Sequence, residues 1–146
     1  MHQKTICLTG GTGFVGRHLV HKLTQQGHRV RILTRRRERH RGLIVNPAVT
    51  LIETDIHDAD QLRQQFREVD VVINLVGILN ESDGKGAGFR RAHVELPEKI
   101  VEAALDAGVS RLLHMSALNA DANEQHSLYL KTKGEGEDLV HAAASR

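Results

Sequence analysis

Short apolar runs alternate with helical periodicity along the whole chain. Residues 4–9 are apolar and β-rich and end at glycines, so they read as a buried strand. Phe14, Val15, Leu19, Val20 and Leu23 then recur at three- and four-residue steps, the spacing of a helix with one buried face, and Gly27 stops it. Arg29–Thr34 and Val49–Glu53 read as the second and third strands, with residues 35–42 as a loop between them. Asp58 is placed to cap a helix carrying Leu62, Phe66 and Val69. Residues 71–76 form the most apolar strand, and the polar, glycine-rich residues 77–88 are expected to be a mobile loop. A helix is predicted over 89–107 and is ended by Gly108. A strand follows over 111–116, then a loop over 119–126 and a closing helix.

The strands are continuous apolar runs rather than alternating ones. That pattern belongs to a parallel sheet covered on both faces. Right-handed crossovers then give a doubly wound α/β sheet of about five strands, with helices on both sides. No repeat, low-complexity tract or internal boundary interrupts residues 1–146, so one domain is expected.

Composition narrows the class. At 40% hydrophobic and 26% charged, the chain can bury a core and stay in solution. No run of about 18 apolar residues offers a membrane span, and no secretory leader is read at the start. Cys7 is the single cysteine, which excludes an internal disulfide framework and points to a reducing, cytoplasmic setting. Three Phe and one Tyr give little stacking surface for single-stranded nucleic acid. Charge is uneven: residues 1–41 hold ten Lys/Arg and one acid, whereas residues 42–146 hold ten Lys/Arg and seventeen acids. A positive N-terminal third suits an anionic ligand.

The glycine run explains which anion. Thr9-Gly10-Gly11-Thr12-Gly13-Phe14-Val15-Gly16 joins the first strand to the first helix. The early glycines permit a tight turn, Gly13 lets a pyrophosphate approach the backbone, and Gly16 lets the helix pack close to the strand. The helix N-terminus then offers unpaired N–H groups and partial positive charge. Gly10, Gly11, Thr12, Gly13, Phe14, Val15 and Gly16 are therefore expected to hold a dinucleotide, and the domain to be a Rossmann domain.

About 20 residues further on, an NAD site usually carries an acid for the ribose hydroxyls. This chain has Arg35-Arg36-Arg37 instead. A carboxylate would repel a 2′-phosphate, whereas a guanidinium grips one with two hydrogen bonds. Arg35, and after it Arg36, thus favour NADP(H), with NAD(H) as the alternative. Asp55 and Ile56 follow the third strand, where the adenine should lie. Leu75, Val76 and Gly77 end the fourth, where backbone can approach the cofactor.

Together TGGTGFVG, Asp55-Ile56, NLVG and SLYLKTKGEGE resemble the short-chain dehydrogenase/reductase superfamily, in its extended and atypical branches of NAD-dependent epimerases and dehydratases. NLVGIL, HVELPEKIVEAALDAGVSRLLHMSAL and YLKTKGEGE are most similar to the nucleotide-binding accessory subunits of complex I and their bacterial relatives. The resemblance implies an NAD(P)-binding protein acting on a carbon-bound hydroxyl or carbonyl of a small molecule, or a non-catalytic nucleotide-binding subunit. A homo-oligomer and a larger assembly both stay open.

Tyr129 and Lys133 match the superfamily's Y-x-x-x-K, and residues i and i+4 share a helix face. A nearby ammonium favours the phenolate, so Tyr129 could exchange a proton with a substrate oxygen, and Lys133 could also hold the nicotinamide ribose. The resemblance implies a hydroxyl after the fifth strand. Ser116 is the candidate, although the count from the strand can also place that position at Ala117. His93 stands where many extended members carry Asn. Extended members also continue beyond Y-x-x-x-K into a substrate-binding region, so the 146-residue chain is expected to bind cofactor with little turnover. No metal is expected, since His18 and His21 have no third ligand in register. G-x-S-x-G and the P-loop Lys are missing. A nucleic-acid reading of the basic run over 35–41 finds no reading helix or aromatic support.

Overall fold

Strand β1 (Thr5–Thr9) lies at the centre of a five-stranded parallel sheet in this computed structural model, which describes residues 2–82 and 84–146. The other strands are β2 (Arg29–Thr34), β3 (Val49–Glu53), β4 (Val71–Asn74) and β5 (Arg111–His114), and their order is β3-β2-β1-β4-β5. Leu8 sits opposite Ile32 on one side and Ile73 on the other. The chain runs outward from β1 to β3, then returns to β4. The crevice between the ends of β1 and β4 is therefore the switch point where ligands of such sheets bind.

Alternation within each strand builds two cores. Ile6, Leu8, Val30, Ile32, Val71 and Ile73 pack on one face, beneath Val20 of α1 (Phe14–Gln25). Cys7, Leu33 and Val72 face the other way. They meet Leu62 and Phe66 of α2 (Ala59–Phe66), and Leu96, Ile100 and Ala103 of α4 (Leu96–Asp106). Burial pushes the Cys7 thiol up to about 12, so it behaves as a small core hydrophobe. Asp58 caps α2 as expected, accepting from the N–H groups of Asp60 and Gln61.

Several boundaries differ from the sequence reading. The strands predicted over 71–76 and 111–116 stop two residues early, at Asn74 and His114. The Asn74 side chain takes the Val76 N–H at 3.1 Å, which draws that donor out of the ladder. Residues 35–42 are not a loop throughout, because a 3-10 helix spans Arg37–Leu43 and the Arg37 N–H donates to Glu53 Oε2 at 2.9 Å. The helix predicted from 89 begins earlier, as α3 (Ala87–Arg90). There the Glu81 carboxylate accepts the N–H groups of Gly86, Gly88 and Phe89. A π-turn over Arg91–Glu95 joins α3 to α4. Of the loop predicted over 77–88, Asp83 lies outside the described residues.

The last helix, α5 (Leu128–Ala143), is capped by Ser127, whose Oγ accepts from Leu130 N–H. Its two interior glycines have a packing reason. A Cβ on Gly136 would strike the His93 carbonyl oxygen, and one on Gly134 would strike the backbone of Asp121 and Ala122. α5, which carries Tyr129 and Lys133, thus lies against the π-turn at Gly136 and against the backbone of Asp121 and Ala122 at Gly134.

Candidate functional site

A cleft of about 650 Å³ opens at the C-terminal ends of the strands, lined on the β1 and β4 side by Gly10, Gly13, Leu75, Val76 and Gly77. Gly10 has φ of +73°, and a Cβ there would stand 2.9 Å from the backbone of Leu75 and Val76. The turn thus requires glycine twice over. A Cβ on Gly16 would enter the backbone of Gly11, so α1 can start this close to β1 only without a side chain. Gly13, by contrast, is exposed, and a Cβ on it would meet only Gly10 O, at 3.4 Å. It caps α1 without a side chain to occupy the first-turn N–H groups. This is a cradle that a pyrophosphate can enter and a larger residue would fill. The residues present therefore fit a dinucleotide. Thr12 lines the cleft, and its carbonyl holds Arg17 Nε at 3.0 Å. Gly11 and Gly16 act beneath the cradle, while Phe14 and Val15 are exposed at the helix start.

The opposite end of the cleft is basic. Arg35, Arg36, Arg39 and His40 line it beyond β2, with Ile56 and His57 from beyond β3. Asp55 stands in an adjoining hollow of about 500 Å³ with Arg35, Glu53, Thr54, His57 and Arg91. The sequence reading found Arg35, Arg36, Asp55 and Ile56 but missed Arg39, His40, His57 and Arg91. The 3-10 segment, kinked at His40, brings Arg39 and His40 to the cleft, and only the adjacency of His57 to Ile56 hinted at its place. Burial and the nearby cations Arg91, Lys99 and Arg35 lower the His57 pKa, against the pull of Asp55.

Tyr129, Lys133 and Ser116 are not on the cleft wall itself. Lys133 stands beyond Gly77 together with His93, and Tyr129 packs on His93. A Cβ on Gly77 would lie 3.9 Å from Lys133 Nζ and 3.7 Å from His93 Nε2, so this glycine admits both side chains to the cleft's end. Lys133 is buried and donates to Met115 O at 2.6 Å. Burial lowers its pKa, opposed by the charge of Glu137. The His93 ring lies 5.4 Å from the Tyr129 ring, edge to face, and stacks on Phe89 at 5.6 Å.

His93 has one tautomer that satisfies its contacts. Ile78 N–H donates to Nε2 at 3.1 Å, so Nδ1 carries the proton and donates to Thr132 Oγ1 at 3.0 Å. Thr132 Oγ1 in turn donates a hydrogen bond to Leu128 O at 2.8 Å. Burial, then the charges of Lys133 and His114, hold the His93 pKa down at about 4. His93 is thus a neutral strut between the loop after β4 and α5.

A second polar chain closes the sheet end. Thr9 Oγ1 donates to Asn74 Oδ1 at 2.7 Å, and Asn74 Nδ2 donates to His114 Nδ1 at 3.1 Å. His114 Nε2 and Ser116 Oγ are buried without a hydrogen-bond partner. The Ser116 hydroxyl is therefore turned inward. Among the described residues, no group of three or more His, Cys, Asp or Glu is placed to hold a metal.

Comparison with known proteins agrees with this geometry. The model of the NAD dependent epimerase/dehydratase family matches residues 6–144. The chain is 34% identical over 141 residues to the mitochondrial NADH-ubiquinone oxidoreductase 40 kDa subunit of Neurospora crassa, covering 94% of this chain and 37% of the relative. It is also 34% identical over 141 residues to the ceramide reductase of Caulobacter vibrioides, covering 94% and 42%. Among solved structures, the Bordetella bronchiseptica enzyme WbmG in complex with NAD superposes with a TM-score of 0.80 at 22% identity. That match covers 97% of this chain and 50% of WbmG. The chain thus spans half or less of the length of these relatives.

Proposed function

Because the chain belongs to the NAD dependent epimerase/dehydratase family, we propose that it binds NADP(H) and serves hydride exchange at a carbon-bound hydroxyl or carbonyl of a small molecule. When bound, the nicotinamide supplies or accepts the hydride. The chain's own residues do the rest. Gly10 and Gly13 receive the pyrophosphate, Arg35 and Arg36 face the adenosine ribose, and Tyr129 exchanges the proton with the substrate oxygen. Lys133, fixed by Met115 O, sets the charge beside Tyr129 and reaches the nicotinamide ribose.

The observation that carries this reading is Gly77. The open backbone of that one residue puts Lys133 and His93, with Tyr129 behind them, at the end of a cleft whose other end is basic. A carboxylate after β2 would favour NAD(H); Arg35 stands there instead. A reductase among the relatives supports the redox reading. A relative that is a subunit of NADH-ubiquinone oxidoreductase supports a second one, a nucleotide-binding subunit of a larger assembly. No helix among the described residues is long and apolar enough to cross a membrane. A cytoplasmic location goes with this reading, since a reducing compartment suits the lone, buried Cys7.

Titration of the chain with NADPH and NADH, followed by nicotinamide fluorescence, tests cofactor binding. A panel of ketones and sugar nucleotides tests turnover, with Tyr129→Phe as the control. Saturable NADPH binding with little turnover is the expected result for this chain, any Tyr129-dependent turnover marks the enzyme, and failure to bind either dinucleotide overturns both readings.

A further inference from the structure

Three rings meet at the start of α5. Phe89 and His93 stack at 5.6 Å, 19° from parallel. Tyr129 stands nearly perpendicular to both, at 6.1 Å and 73° from Phe89 and at 5.4 Å and 86° from His93. Edge-to-face contacts of this kind are directional. The phenol oxygen lies on the ring axis, so its position follows χ1, which chooses among staggered wells. A change of well swings the ring through roughly 120°, and the contacts with Phe89 and His93 are then lost together.

The two walls are held independently. His93 is fixed by Ile78 and Thr132. Phe89 is carried by α3, whose four residues are too few to be stable alone. Glu81 supplies the missing support. Its carboxylate accepts the N–H groups of Gly86, Gly88 and Phe89 itself, the last at 3.2 Å. The fit is close, because a Cβ on Gly88 would stand 3.2 Å from Glu81 Oε2 and 3.5 Å from Ile78 Cδ1. At one end of α3, a Cβ on Gly86 would lie 3.4 Å from Cδ1 of Leu128, the residue before Tyr129. At the other end, Arg90 Nη1 donates to Glu135 Oε2 of α5 at 3.1 Å. The short helix is thus tied to α5 on both sides of its one aromatic residue.

We propose that Phe89 is a positioning residue for Tyr129. Its ring, with that of His93, keeps the phenol in one orientation, and the Glu81 carboxylate keeps Phe89 where it can do so. A substrate oxygen then meets a hydroxyl already in place rather than one shared among rotamers, which is how orientation lowers a barrier. The consequence for proton exchange rests on the proposed role of Tyr129; the ring arrangement does not.

Tyr129 is the only tyrosine, so its ring signals stand alone. Three-bond NMR couplings from its Cγ to its backbone N and C′ read χ1 in the full chain, without cofactor or substrate. The native chain should show one well. Phe89→Leu, which keeps apolar bulk but no ring, should show averaging between wells. Phe89→Tyr should restore a single well, its two tyrosines being separated by assignment. Glu81→Ala should make Tyr129 average as well, although the three rings are all retained. Phe89 is half-buried and belongs to neither core, so the sheet should persist in each variant, and circular dichroism checks it.

A native Tyr129 that already averages, or a Phe89→Leu chain still in one well, would overturn the proposal. Glu81→Ala in one well would overturn the part given to the cap. NADPH should bind Phe89→Leu as it binds the native chain, since Phe89 does not line the cleft. Any Tyr129-dependent turnover on the ketone panel should fall about tenfold or more in kcat, with KM little changed. An unchanged kcat beside an averaged χ1 would overturn the positioning role. Failure of the native chain to bind either dinucleotide overturns the proposed function instead, and the couplings then judge Phe89 alone.

Discussion

The imidazole of His93 holds Thr132 Oγ1 at 3.0 Å with one nitrogen and the N–H of Ile78 at 3.1 Å with the other. One buried side chain thereby fixes the loop that ends β4 to the helix that carries Tyr129 and Lys133. A protonated ring cannot accept from Ile78, and it would face the Lys133 ammonium at close range. The cleft wall and Tyr129 are in register only while His93 is neutral.

A pH dependence follows, with a definite sign. The folded-state pKa of His93 is about 4, against an ordinary value of 6.5, because burial and Lys133 disfavour the charge. The unfolded chain therefore binds the proton more readily, and stability is full above about pH 6.5 and falls as pH drops toward 4. His93 alone contributes about 3 kcal/mol across that window. His114, also held at about 4, adds to the same trend. Thermal melts from pH 7.5 to 4.5 should show a steep loss in the native chain and a shallower one in His93→Gln. Parallel slopes would mean that His93 is not the titrating strut.

The glycine run separates two roles that one motif conceals. Gly13→Val should abolish dinucleotide binding and leave the melting temperature nearly unchanged, because its side chain points into the open cradle. Gly16→Ala should do the reverse in order of cause. Its Cβ enters Gly11, so the fold should lose about 3 kcal/mol or more, and binding should fail with it. Chemical denaturation and cofactor titration of both variants distinguish the two. A Gly13→Val chain that binds normally would show that the phosphates lie elsewhere.

Arg35 should decide cofactor choice. Arg35→Ala should weaken NADPH by about 1.5–3 kcal/mol, the value of a hydrogen bond to a charged group, and barely affect NADH. Calorimetric titration of both cofactors measures the difference. Equal affinity of the native chain for NADPH and NADH would remove the basis for a 2′-phosphate contact.

Local patterns carried most of the architecture. Five apolar runs, the glycine turn and the Asp58 cap each depend on residues within a few positions, so a single sequence displays them. The misplaced elements depend on distant partners. Residues 37–43 coil because Glu53, sixteen positions away, takes the Arg37 N–H. The helix starts at Ala87 because Glu81 reaches forward to cap it. At the site, Y-x-x-x-K located Tyr129 and Lys133, but the neutral state of His93 depends on Thr132, thirty-nine residues on. The inward turn of Ser116 and the placement of Arg91 beside Asp55 likewise exist only once the sheet is assembled.

The outer edge of β5 makes the last prediction. Among the described residues, β5 pairs with β4 and with no other strand. Its outer side presents unpaired backbone groups over Arg111–His114, and Leu113 is 47% exposed beside them. An open edge of this kind recruits another strand unless a charge, a proline or a covering element blocks it. Arg111 supplies one charge at the start of the strand, but Leu112 and Leu113 leave its middle apolar. The 146-residue chain should therefore self-associate reversibly as concentration rises. Leu113→Lys, which places a charge in the middle of that edge, should shift it toward monomer without altering NADPH binding, since β5 lies across β4 from the glycine turn. Sedimentation velocity across a hundredfold concentration range checks both chains. A native chain that stays monomeric throughout would show that Arg111 and the twist of a four-residue strand already protect the edge.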